Sequence, residues 1–80
     1  MRYTAELTKK DKGERVSLGV EKFEAATLSE AISKAEKFAL PLIKTHRELG
    51  FDEAIHLLIV TKDGIGVFRK EFEASNAPRT

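Results

Sequence analysis

Residues 27–50, TLSEAISKAEKFALPLIKTHRELG, constrain this chain more than any other stretch, because their pattern fits one long helix that needs a sheet beneath it. Leu28, Ala31, Ile32, Ala35, Phe38, Ala39, Leu42, Ile43 and Leu49 keep the three-and-four spacing of a single helical face, with His46 in the remaining slot. Glu30, Ser33, Lys34, Lys37, Lys44 and Arg47 make the opposite face polar. A helix so one-sided lays its stripe on another element, and the flanking residues are rich in strand pattern.

The ends of this helix are written in side-chain chemistry. Thr27 followed by Glu30 predicts a capping box, the Thr hydroxyl accepting from the Glu30 amide and the carboxylate reaching back to the amide of Thr27. Gly50 supplies the left-handed residue that closes a helix, and Phe51 is then expected to tuck under the last turn. Pro41 removes one internal hydrogen bond, at a cost of about 3 kcal/mol in a helix interior, so a bend near Leu40 is expected. The apolar face continues in phase across it, which favours a curve over a break.

Before the helix, Tyr3, Ala5 and Leu7 alternate with Arg2, Thr4, Glu6 and Thr8, the period of a half-buried strand. KKDKGE (9–14) is turn chemistry, and Val16, Leu18 and Val20 alternate beyond it to complete a hairpin. At Lys22-Phe23 the alternation slips, so the strand ends there or a bulge turns Phe23 back to the core. After the helix, AIHLLIVT (54–61) is apolar on both faces, Ile55, Leu57 and Ile59 on one and Leu58 and Val60 on the other, as in a central strand covered on both sides. Asp63-Gly64 marks a hairpin, and a fourth strand runs over 65–72. Residues 74–80 carry no period and are expected to form a flexible tail beyond a single domain, 1–73.

The order is thus β-β-α-β-β, an α+β two-layer fold. If the first strand lies between the second and third, every neighbouring pair is antiparallel and the sheet order is 2-1-3-4. The order 1-2-3-4, with a parallel pair, is the alternative. One helix covers one face only. Taking Phe68 and Phe72 to share the outer face with Leu58 and Val60, these four residues form a candidate interface, and a second copy of the chain is the expected cover.

Eighty residues allow one domain, and 41% hydrophobic with 34% charged residues describes a folded chain. A net charge of +1 argues against nucleic acid as a partner. The absence of cysteine excludes disulfides, thiolate metal sites and cysteine nucleophiles. No apolar run spans a membrane and residues 1–7 lack a signal-peptide core, so a cytoplasmic location is expected.

Residues with chemical potential are few. His46 and His56 match no metal-ligand spacing and read as packed side chains. Glu48, Asp52 and Glu53 gather near the helix end and read as loop carboxylates, while Ser29 and Ser33 lack a nucleophile motif. Gly64-Ile65-Gly66 follows a hairpin and opens no helix, so it is no phosphate cradle. Lys9, Lys10, Lys12 and Arg15 on the first hairpin and Lys62, Arg69 and Lys70 on the second could bind phosphate if the tips projected together. Asp11, Glu14, Asp63 and Glu71 lie among them, as on a solvated mixed-charge surface. No catalytic residue, metal or cofactor is implied.

RYTAELTKKDKGERV followed by TLSEAISKAEKFA resembles the opening of HicB-type antitoxin domains, in which a hairpin leads to a helix beginning Thr-Leu-x-Glu-Ala. Thr27, Leu28, Glu30 and Ala31 are the best-matching residues. The whole chain is also similar to short uncharacterised bacterial proteins of β-β-α-β-β order, through the strand and Asp-Gly hairpin IVTKDGIGVFRKEF. The first resemblance implies a regulator that covers a protein partner; the second implies a fold without an activity. A small non-catalytic, homodimeric protein-interaction module is the reading that the residues favour. An antitoxin-like regulator and a dimer holding a ligand near His56 are the alternatives.

Overall fold

The computed structural model describes residues 1–73, so the expected tail at 74–80 lies outside the described residues. Strand β1 (Arg2–Asp11) is the one on which the sheet is built, pairing antiparallel with β2 (Glu14–Glu24) on one side and with β3 (Ile55–Thr61) on the other. β4 (Gly66–Phe72) pairs antiparallel with β3, which gives the order β2-β1-β3-β4. The helix α1 (Leu28–Glu48) crosses from β2 to β3 over one face. This is the two-layer α+β fold expected, with the 2-1-3-4 order.

Alternation decides which side chains meet the helix. Tyr3, Ala5 and Leu7 on β1 lie opposite Thr61, Ile59 and Leu57 on β3, and all six are buried. Leu7, Ile55, Leu57 and Ile59 are the largest fully buried side chains. Each contributes roughly 1.5–3 kcal/mol of apolar transfer. Above them the helix buries only Ala31, Ala35 and Ala39, one small residue per turn, which lets the backbone settle close to the sheet. Ile32, Phe38, Leu42 and Ile43 flank this stripe and fill the sides.

The caps form with one change of partner. The Thr27 hydroxyl accepts from the Glu30 amide at 3.1 Å, but the Glu30 carboxylate accepts from Ala26 at 2.6 Å instead of from Thr27. At the other end Gly50 has φ +94°, its amide donates to Arg47, and the Phe51 amide donates to His46, the double bond of a Schellman motif. Phe51 does tuck back, its ring stacking on His46 at 4.8 Å. The helix runs through Pro41 without a break.

Both hairpin turns follow from their glycines. Lys12 and Gly13 have φ +54° and +84°, the pair of positive angles of a two-residue turn whose twist matches the strands, so the strands extend further into the charged tip than the composition suggests. In the second hairpin Gly64 takes φ +84° after a turn closed by its amide to Thr61.

Two bulges set the facing of the outer strands. Leu7 faces Gly19 and Thr8 faces Ser17, leaving Leu18 without a partner. The predicted slip in β2 is therefore a bulge, placed at Leu18 instead of at Lys22-Phe23, and it returns Phe23 to the helix side opposite Tyr3. It also sends Val20, expected beside Val16 and Leu18, to the other face opposite Glu6. Likewise Ile59 faces Phe68 and Val60 faces Gly66, leaving Val67 unpaired.

Candidate functional site

The second bulge divides the four residues expected to share the outer face. Phe68 and Phe72 lie opposite Ile59 and Ile55 and pack against the buried core beneath the helix. Leu58 and Val60 point to the uncovered side, opposite Arg69 and Gly66. The candidate interface of Leu58, Val60, Phe68 and Phe72 therefore does not come together as one patch. The period-two pattern of a strand shifts by one residue at a bulge, and the aromatic residues beyond Val67 change sides.

What remains on the uncovered side is a smaller and more polar surface. Val20, Glu6, Leu58 and Arg69 form one row across the four strands, and Ser17, Thr8, His56 and Glu71 form the next. His56, Leu58 and Val60 are half-buried there, so the central strand is sealed on the helix side only. Glu6, also half-buried, stands between Val20 and Leu58 and makes no ion pair among the described residues. The middle of the face is thus apolar with one carboxylate, and its margins are charged.

Thr8, Arg15, His56, Leu58 and Arg69, contributed by all four strands, line a shallow depression of about 20 Å³ on this face. Thr8 is 5% exposed, and the Nδ1 atom of His56 is buried without a hydrogen-bond partner among the described residues. The tips of the two hairpins lie at opposite ends of the sheet, because Lys9 is level with Ile55 and Tyr3 with Thr61. Arg15 from the first hairpin and Arg69 from the second nonetheless line the same depression. A larger hollow of about 520 Å³ lies at the other end, between Met1, Arg2, Glu24, Thr61, Lys62 and Ile65, with Arg2 and Glu24 3.9 Å apart across it.

Several of the other titratable residues tie elements of the fold together. Glu53 accepts from Lys9 at 2.7 Å and lies 3.2 Å from His46 Nε2, which ties the helix end and the following loop to β1. The Lys9 ammonium, then a backbone amide, hold the Glu53 carboxyl down at about 2. A carboxyl kept ionised in this way is a partner for cations and a poor proton donor. Glu48 and Asp52 are exposed nearby and join no such network. Lys70 pairs with Glu36 on the helix at 2.9 Å. No group of three or more metal-ligating side chains occurs among the described residues. No helix among the described residues is long and apolar enough to cross a membrane.

Comparison of the chain with protein families, with curated proteins and with solved structures finds no match.

Proposed function

We propose that the protein is a small interaction module that self-associates through the uncovered face of its sheet and carries no catalysis of its own. The observation that carries this reading is the row Glu6, Leu58, Arg69, in which a carboxylate and a guanidinium that make no ion pair among the described residues flank the apolar centre on the strands either side of β3. A two-fold axis laid along β3 between two copies brings Leu58 and Val60 against their own counterparts. The same axis brings Glu6 of each copy over Arg69 of the other. An axis across the strands would instead oppose Glu6 to Glu6 and Arg69 to Arg69. Only the first arrangement is self-complementary, as a symmetric interface requires.

The expected strength follows from size. Strand spacing and rise give roughly 300–400 Å² of flat sheet on each copy for three overlapping strands, less in total than the ~1,000 Å² of a stable specific interface, so association is weak and depends on concentration. Light scattering coupled to size exclusion, over about a hundredfold range of concentration, tests it. The native chain should pass from monomer to dimer, and Leu58→Lys should remain monomeric while still folded by circular dichroism. A native chain that stays monomeric throughout overturns self-association. The face would then be left for a protein of different sequence, as the antitoxin resemblance implies.

A further inference from the structure

We infer that Thr8, Arg15, His56 and Arg69 form a receptor for a single oxyanion. Arg15 and Arg69 start from the two edge strands, yet their side chains line the same depression over Thr8 and His56. No carboxylate lines it with them, and neither arginine makes an ion pair among the described residues. Two guanidinium groups that face one depression repel one another, and an anion between them converts that repulsion into two charge-assisted hydrogen bonds.

The floor of the depression fits the same ligand. Thr8 is 95% buried, and its hydroxyl can donate. The His56 Nδ1 atom is sealed and unpartnered, which favours the tautomer with its proton on Nε2, the other edge of the ring. The space of about 20 Å³ holds one oxygen atom, so the rest of the anion sits above it between the arginines. Two sources supply such an oxygen. One is a free phosphate or carboxylate from solution. The other is Glu71 of a second copy, which the two-fold axis along β3 carries over Thr8, since Thr8 and Glu71 flank His56 in one row. The first source is independent of self-association, and the second rests on it.

The test is a titration of the isotope-labelled full chain with inorganic phosphate, at fixed ionic strength and at protein concentrations low enough to hold it monomeric. Saturable NMR shifts of the Thr8 amide and the His56 ring are expected for a free-anion site. Arg15→Gln and Arg69→Gln should each weaken binding roughly tenfold or more, the loss of a charge-assisted bond, while Lys62→Gln leaves it unchanged. If phosphate has no effect on the monomer but Glu71→Gln weakens self-association, and phosphate dissociates the native dimer, the second copy's carboxylate is the ligand. Shifts that fail to saturate, or that survive both arginine substitutions, with Glu71→Gln associating as the native chain does, overturn the site whichever way the oligomeric state turns out.

Discussion

The ammonium of Lys9, on the central strand β1, lies 2.7 Å from the carboxylate of Glu53, in the loop that returns the chain from the helix to the sheet. The same ammonium sits 4.6 Å above the Phe51 ring, so one lysine holds both halves of that loop. Glu53 has its carboxyl lowered from 4.5 to about 2, with the Lys9 hydrogen bond as the largest cause. A folded value below the unfolded one stabilises the fold above the unfolded value, and this contribution is lost as the pH falls from about 5 toward 2. Glu53→Gln should therefore be less stable than the native chain at pH 7 and converge with it near pH 2. The carboxylate is 35% exposed, so water screens the pair and the gap at neutral pH should not exceed about 1 kcal/mol. Urea unfolding at the two pH values measures it.

Gly19 should tolerate a methyl group and nothing larger. A Cβ built there comes 3.0 Å from Leu42 Cδ1 and 3.3 Å from Phe38 Cζ, the two side chains that cover the margin of β2. Gly19→Ala asks those flexible tips to move a few tenths of an ångström and should have a small effect. Gly19→Val should cost about 1–3 kcal/mol by overpacking, despite valine's preference for strands. Thermal denaturation of both variants, with Leu42→Ala added to Gly19→Val as a relief, distinguishes crowding from backbone strain.

Phe68 and Leu58, neighbours on adjacent strands, should respond to truncation in opposite ways. Phe68 packs against the buried cluster under the helix, so Phe68→Ala should lower stability by about 2–4 kcal/mol and leave any self-association of the surviving fold intact. Leu58 faces away from the helix, so Leu58→Lys should cost less than about 1.5 kcal/mol and abolish association. Denaturation and light scattering on each variant give the four values needed.

Charge reversal tests the proposed pairing of Glu6 with Arg69 of a second copy. Glu6→Arg alone, and Arg69→Glu alone, should each weaken the dimer roughly tenfold or more by placing like charges across the interface. The double variant restores opposite charges and should recover most of the affinity. Sedimentation equilibrium reads all four combinations, and a double variant as weak as the singles would count against the axis along β3.

The order of elements and of strands was legible because the residues that decide them obey a strict period. Ile55, Leu57 and Ile59 had to be covered, and only a central position for β3 next to β1 covers them without a parallel pair. The Thr27 cap and the Gly50 stop located the helix to within a residue or so of Leu28–Glu48. The outer face was misread for a local reason. Simple alternation carried Phe68 and Phe72 onto the side of Leu58, and left Val20 beside Leu18, because a bulge adds one residue without any change in hydrophobicity. A signal was present in both places: Gly19 directly follows the bulged Leu18, and Gly66 directly precedes the bulged Val67. An isolated glycine within a strand pattern marks this kind of irregularity. The depression that Arg15 shares with Arg69 had no such signal, since residues 54 positions apart are brought to one face only by the finished sheet.

Both irregular residues belong to the strands that end the sheet, β2 and β4, and this governs how copies of the chain can meet. A regular border would offer an unbroken ladder of amides and carbonyls to the next molecule, and that molecule would offer the same again, giving a fibre without a natural end. A border interrupted part-way has no such ladder over its full length. Growth sideways is discouraged, and the proposed contact through the broad face, which is used up once two molecules share it, would give an assembly of fixed size.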